Sequence, residues 1–542
     1  MRESARVRLP TLVRVSSAAA AALVLALPGQ ALARDGKVDR SFGGGRVTVS
    51  FDPGAGAEGP SAVIPLGSGG VFSGGIGGGN GWGLSLHDRR GNPFGFGGDG
   101  LAYHKISTGP GGFSAPADWA RAPGGGWIGV GAVDEGGPRS AVVARFTADG
   151  ALDPAFGNDP PNPTGDGIVR IDFPGTDDFA TGVAVDRTGR TLVTGYSRSG
   201  PSPGPAELWL ARLTADGALD PAFGSGGVVV GGDGVNDQGE DVEVLGDGRI
   251  LVAGVSDGDL VVLRFRQNGT PDTAFGAGDG FAEVPGFGVE AERAAELAPL
   301  PNGKVLVGLN DGTAHVFSPP EAVIGVARFT KRGALDRRFS GDGITRVKTG
   351  DYQLFGDIAA TDDGRIVITS SVRFGAPGSD GQILVIRLRP GGGLDKTFGK
   401  AGFVVYGDPD VFEGGGPVAV TRDRRIYFAA DVSDGMSGDG IIGRLLGDTV
   451  RPGTKITGGP QGDVPPGRYR IRFRALHDVH AKFQCAIGVA TPNSGRATSF
   501  GSCSSPLRVR VSHHASYVLR VRAIDRAGNV DKSPAKRRFS GR

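Results

Sequence analysis

One short tag recurs along this chain and limits its fold more than any other feature. It reads Val38-Asp39-Arg40-Ser41-Phe42-Gly43, then Leu152-Asp153-Pro154-Ala155-Phe156-Gly157, then Leu219-Asp220-Pro221-Ala222-Phe223-Gly224. It returns as Pro271-Asp272-Thr273-Ala274-Phe275-Gly276, Leu335-Asp336-Arg337-Arg338-Phe339-Ser340 and Leu394-Asp395-Lys396-Thr397-Phe398-Gly399, with a worn copy from Asn92 to Gly97. The tag phenylalanines, at 42, 96, 156, 223, 275, 339 and 398, lie 52 to 67 residues apart. Repeats of this length are supersecondary units that bury their apolar faces only against their neighbours.

After each tag comes a short strand pattern, such as Gly227-Val228-Val229-Val230. A hairpin pattern follows, as in Asp241-Val242-Glu243-Val244 and Arg249-Ile250-Leu251-Val252-Ala253-Gly254 around Gly246-Asp247-Gly248. The Asp-Gly and Asn-Gly dipeptides predict type I′ turns. A fourth strand pattern closes each unit, as in Leu260-Val261-Val262-Leu263-Arg264-Phe265. The 98 glycines have no three-residue period, which excludes collagen and suits many tight turns. Four strands in each of seven units predict an all-β, seven-bladed β-propeller rather than an open solenoid. The first tag has no fourth strand before it, whereas Ile441-Ile442-Gly443-Arg444-Leu445 has no tag after it. Pairing the two ends would close a ring and remove both open sheet edges.

The tag, the D-G-R-I-L-V-A-G hairpin and the A-R-L-x-x-D-G strand together resemble the delta-60 repeat family of bacterial exported proteins, from Asp35 to about Gly447. That family is defined by sequence and implies no reaction, so no catalytic residue is carried over. A second periodicity is charged. Arg145, Arg212, Arg264, Arg328, Arg387 and Arg444 occupy equivalent positions, and Asp153, Asp220, Asp272, Asp336 and Asp395 each follow one of them by eight residues. The expectation is one ion pair per repeat that fixes the turn between units; a ligand-gripping ring of charge is the rival.

Residues 1–33 carry Arg2, Arg6, Arg8 and Arg14, an apolar stretch from Val15 to Leu27, and Ala31-Leu32-Ala33. This is the order of a secretory signal peptide cleaved after Ala33. No other segment approaches the length of an apolar membrane span, so an extracellular, unanchored, monomeric protein is expected. The net charge of +2 hides an asymmetry. Residues 34–447, the expected propeller, carry −14, whereas residues 448–542 carry +13.

In that basic tail the segments Phe483 to Cys485, Ser502 to Pro506, Tyr517 to Arg522 and Asp525 to Pro534 resemble a bacterial Ig-like module, which implies a small β-sandwich. Cys485 and Cys503, the only cysteines, are expected to form a disulfide. Arg468, Arg470, Arg472 and Arg474 alternate with Tyr469, Ile471 and Phe473 and therefore share one face of a strand. Arg508, Arg510, Arg520 and Arg522 repeat the spacing, and if these strands share a sheet eight guanidinium groups form one field. Its expected partner is an anionic cell-envelope polymer or acidic glycan; export disfavours nucleic acid.

Catalytic signatures are weak. Gly254-Val255-Ser256-Asp257-Gly258 fits the nucleophile-elbow string, but no helix pattern follows it, so a repeat turn is expected. Asp99, Asp166, Asp279 and Asp342, each in a Gly-Asp-Gly tripeptide, are expected to cap turns rather than to hold calcium. His477-x-x-His480 and His513-His514 could meet around a metal, but loop histidines are the expected account. No catalytic residue, cofactor or metal site is assigned. The expected function is an exported, non-catalytic scaffold or binding protein with the propeller as platform. The alternative is an extracellular oxidoreductase or polysaccharide-degrading enzyme acting in the central funnel.

Overall fold

The computed structural model describes residues 35–542 apart from 52–58, 79–80, 108–111, 158–164, 201–204, 232–235, 288–294, 312–322, 351, 374–380, 408–411, 434–437, 449–450, 477–480 and 490–498. The expected signal peptide and the histidines 315, 477 and 480 lie outside the described residues. Among those described there is no α-helix, and no helix is long and apolar enough to cross a membrane. The chain forms two compact units, one of Val38–Val420 with Tyr427–Arg444, the other of Leu445–Arg542 with Thr421–Ile426.

The first unit is all-β and propeller-like. Its described residues form six four-stranded sheets and one five-stranded sheet. A representative sheet runs Asp237–Val244, Ile250–Ser256, Asp259–Phe265 and Phe281–Val284, antiparallel and in sequence order. The first strand of each sheet touches the first strands of the sheets before and after it. The cycle closes where Phe412–Val420 meets Gly59–Pro65. First strands therefore line the centre, and cores of Val, Leu, Ile and Phe lie between adjacent sheets. One such core joins Leu251, Val262 and Phe275 to Leu297, Val307 and Phe329.

The repeat in sequence and the sheet in space are out of phase. The short strand after each tag is the outermost strand of the preceding sheet, as Val228–Gly231 pairs with Ala206–Leu213. The same rule joins the chain's two ends. Arg46–Val49 pairs antiparallel with Gly438–Leu446, with Val47 opposite Ile442.

The hairpin turns differ from expectation. Gly248, Gly303 and Gly364 have positive φ, but Asp247, Asn302 and Asp363 before them do not, so these are not type I′ turns. The N–H of Leu245 donates to Arg249 and that of Gly248 to Leu245, giving three-residue loops in which glycine alone takes the left-handed position. The type I′ geometry occurs instead at Asp257-Gly258, where both φ values are positive between Ser256 and Asp259. The nucleophile-elbow string is thus the tip of a hairpin.

Each position of the tag has a physical task. The arginine of the third strand, Arg264 for instance, donates from Nε to Asp272 Oδ2 at 2.7 Å and from Nη1 to the Lys331 carbonyl of the next sheet's turn at 2.6 Å. Its guanidinium lies 4.5 Å over the ring of Phe275. Asp272 Oδ1 accepts the N–H of Ala274, and Gly276, at φ +67, donates its N–H to the Arg332 carbonyl of the same turn. A Cβ at Gly276 would stand 1.7 Å from the Phe281 carbonyl oxygen, so this copy of the tag needs glycine there, whereas Ser340 takes the same left-handed position in another copy at φ +52. A second cation reaches the carboxylate from the hairpin: Arg249 to Asp272, Lys304 to Asp336, Arg365 to Asp395.

The arginine, aspartate and phenylalanine recur as Arg145-Asp153-Phe156, Arg212-Asp220-Phe223, Arg328-Asp336-Phe339, Arg387-Asp395-Phe398 and Arg444-Asp39-Phe42. The last spans 405 residues of sequence, as ring closure requires. The periodic arginines are therefore structural, and the rival reading of a ligand-gripping ring fails because their side chains are largely buried. Burial alone would raise the Asp39, Asp272, Asp336 and Asp395 carboxyls. Their hydrogen bonds and paired cations outweigh it and hold all four below the usual range. The sheet of the worn tag does without the pair: Leu86 and Phe94 stand in its place, linked by the equivalent backbone bond from Phe94 N–H to the Leu86 carbonyl.

The second unit is a sandwich of two sheets. Gly467–Ala475 is central in a three-stranded sheet, between Thr454–Gly458 and Leu507–Val511. The other sheet has five strands in the spatial order Gly462–Val464, Ala535–Gly541, Ser516–Ile524, Lys482–Val489, Gly501–Cys503. Ile471, Phe473 and Val511 from one sheet pack on Leu519, Val521 and Phe539 from the other. Cys485 and Cys503 are disulfide-bonded, joining neighbouring strands of the five-stranded sheet.

These contacts predict an asymmetry between breaking a pair and replacing it. Asp272→Asn strands the buried Arg264 charge and should cost about 3–5 kcal/mol in urea unfolding. Arg264→Leu with Asp272→Phe, copying Leu86 and Phe94, should recover most of that loss. A double variant no more stable than Asp272→Asn would contradict the account.

Candidate functional site

The centre of the first unit holds an acidic cluster. Asp118, Asp241, Glu296 and Asp357 occupy one equivalent place on four first strands, each paired with the fourth residue of the second strand (Val130, Ala253, Gly308 and Thr369). On two further first strands that place holds Ala62 and Gly182, so the cluster breaks the symmetry of the ring. A Cβ on Gly182 would fall 2.8 Å from Asp241 Cα, which explains why this strand cannot carry an acid there. Glu243 lies two residues beyond Asp241 on the same strand face.

Where the first strand bulges, the aspartates bridge to its neighbour. Asp118 accepts the N–H of Trp119 at 2.7 Å and of Val183, in the next sheet, at 2.9 Å. Asp241 accepts Val242 at 2.6 Å and Leu297 of the next sheet at 2.8 Å. Asp357 likewise accepts Ile358 and, across the gap, Val418. Each carboxylate thus fastens two first strands whose backbones are too far apart to pair directly.

Enclosure by protein and mutual repulsion work against ionisation here. Burial pushes Asp118 up to about 8, with the charges of Asp241 and Asp357 adding to it. Burial and then the Asp241 and Asp118 charges push Glu243 up to about 8. Burial raises Asp241 to about 6 and, with Asp241 beside it, Asp357 to about 7. Glu296 is raised well above the carboxylate range by burial and its acidic neighbours. All five nevertheless keep partial solvent access, the signature of groups facing a narrow channel rather than a sealed core. None forms an ion pair among the described residues. Protons must therefore be shared among them at neutral pH.

The cluster was not assigned from sequence. Its signal was present: Asp118, Asp241, Glu296 and Asp357 each stand nine residues before the start of the next strand, at Trp127, Ile250, Val305 and Ile366. Reading it required knowing that first strands line the channel.

The structure places the other candidates as follows. Asp99, Asp166, Asp279 and Asp342 each accept the N–H two residues on, as turn caps. His513 Nδ1 meets the Arg542 carbonyl. The eight tail arginines do not form one field. Arg468, Arg470, Arg472, Arg474, Arg508 and Arg510 share the three-stranded sheet, but Arg520 and Arg522 lie on the five-stranded one. There Arg522 bonds Gln484 at 2.9 Å and stacks on Phe500 at 4.0 Å.

No curated protein matches the chain. The family described as "Domain of unknown function (DUF5122) beta-propeller" matches residues 125–156, 188–223 and 245–275, each stretch running through an arginine strand to a tag phenylalanine. Among solved structures, the NanB sialidase of Streptococcus pneumoniae is similar with a TM-score of 0.36 and 11% identity, over 73% of this chain and 69% of that one. Prolyl oligopeptidase B of Galerina marginata is similar at 0.37 and 11%, over 86% of this chain and 56% of that one. An ulvan lyase is similar at 0.31 and 10%, over 91% and 96%. Over these three stretches, then, the chain is similar to a β-propeller family described as a domain of unknown function.

Proposed function

We propose that the protein is an exported, non-catalytic binding scaffold. In this reading residues 1–33 are a cleaved signal, residues 34–447 form a seven-bladed delta-60 propeller, and residues 448–542 form an Ig-like module. One observation supports it above others: both oxygens of Asp118, Asp241 and Asp357 are engaged by backbone N–H groups of two adjacent strands. The channel aspartates are thereby committed to holding the ring, as the periodic arginines are. The loops, free of that duty, are the natural binding surface of such a platform.

A second reading, an enzyme acting in the central funnel, draws on Glu243 and Glu296. Each is an acid held above the usual range beside Asp241 and Asp118, and a protonated acid next to an ionised one can supply a general acid and a general base. The mature chain, incubated with neutral and acidic polysaccharides and assayed for reducing ends and unsaturated products, should show retention without turnover. Product formation abolished by Glu243→Gln would replace the scaffold with the enzyme.

The channel also predicts a pH dependence. An acid whose pKa is raised on folding costs nothing below its unfolded value, and opposes folding increasingly as pH climbs toward the folded one. Glu243→Gln should therefore leave stability unchanged near pH 4 and raise the melting temperature increasingly up to about pH 8. A variant equally stable to the native chain at pH 8 would mean that Glu243 is not held protonated.

A further inference from the structure

The exposed face of the three-stranded sheet in the second unit carries seven cations and no carboxylate. Every outward position of Gly467–Ala475 is arginine: Arg468, Arg470, Arg472 and Arg474. Arg508 and Arg510 fill the outward positions of Leu507–Val511, and Lys455 stands with Thr457 on Thr454–Gly458. Arg468 is directly opposite Arg510, Arg470 opposite Arg508, and Arg474 opposite Lys455.

Two ordinary explanations do not fit. Long side chains often cover apolar surface with their stems, but no outward position in these strands is apolar. Surface cations usually alternate with acids, yet none of these seven has an ion-pair partner among the described residues. Like charges directly opposite one another on a sheet are unfavourable, so the face is incomplete without a compensating anion. The backbone beneath is held by the buried Ile471, Phe473 and Val511, which fixes the spacing of the charges. Rows repeat at ~6.8 Å along a strand and ~4.8 Å between strands.

We propose that this face binds a linear phosphate polymer. Guanidinium forks suit phosphate, and a flexible chain carrying one anion per unit can engage several forks at once. The outward positions contain no aromatic ring on which a base could stack, and no Asn, Gln, Asp or Glu to read sugar hydroxyls. What the face can read is phosphate in a row. This inference concerns a different surface from the propeller's and stands whichever reading of the propeller holds.

The test uses the whole mature chain and labelled linear inorganic polyphosphate, titrated at rising salt. Binding should be detectable at low salt, with log K falling linearly against log salt. Arg470→Gln with Arg472→Gln and Arg508→Gln should weaken binding at least about tenfold and flatten that slope. Arg520→Gln, on the other sheet, should leave both unchanged. The triple variant should melt no lower than the native chain, because it relieves repulsion. Polygalacturonate and single-stranded DNA serve as competitors. The proposal is overturned by no binding at low salt, by an unchanged slope in a folded triple variant, by polygalacturonate displacing polyphosphate at equal charge, or by failure of single-stranded DNA, itself a linear phosphate chain, to compete. If the triple variant fails to fold, the native chain's salt slope and the competition decide alone.

Discussion

A guanidinium held between one carboxylate, one phenyl ring and one carbonyl of the neighbouring turn is the interaction on which the first unit depends. Arg264 shows why it works: its Nε and Nη1 donate to Asp272 and Lys331, and its face is covered by Phe275. A buried cation with any donor unsatisfied would cost several kcal/mol, so the site is stable only when three separate segments arrive in register. Those segments are the third strand of one sheet, the tag that leaves it and the turn after the third strand of the next. The interaction thus specifies how consecutive sheets meet, and repeating it brings the last sheet round to the first tag at Arg444 and Asp39.

The channel is the consequence of that closure. First strands converge at the centre, bulge, and leave N–H groups that no neighbouring strand can satisfy. Asp118, Asp241 and Asp357 satisfy them, at the cost of crowding acids with Glu243 and Glu296. The two sets of carboxylates respond oppositely to pH. Those paired with the periodic arginines, each such pair a staple between sheets, are held below the ordinary range; they stabilise above it and lose that contribution as pH falls through their folded pKa. Those in the channel favour folding when protonated and oppose it as pH rises. A mildly acidic optimum follows from the opposition.

Much of this was legible in the sequence because the repeat sampled each constraint several times. The tag exposed the unit, the arginine–aspartate spacing exposed the ion pair, and the missing strand at one end exposed the closure. The turn type was misread, since Asp-Gly alone does not distinguish a two-residue loop from a three-residue loop in which only Gly248 is left-handed. The channel acids went unseen because they break the repeat: an averaged pattern hides Asp118 and Asp241 among Ala62 and Gly182. Grouping Arg520 and Arg522 with the other tail arginines failed for a related reason. Alternation fixes which face of a strand a residue occupies, but not which sheet the strand joins.

Closure by the staple is most directly tested by native-state hydrogen exchange. The amides of Arg46–Val49 and Gly438–Leu446 form the seam between the two ends of the chain. If Arg444, Asp39 and Phe42 lock that seam as their counterparts lock the others, its paired amides should be as protected as those of Ile250–Ser256, and open only with the whole unit. Exchange by local fraying, with the seam opening far more readily than the interior sheets, would show that the ring is not held in this way.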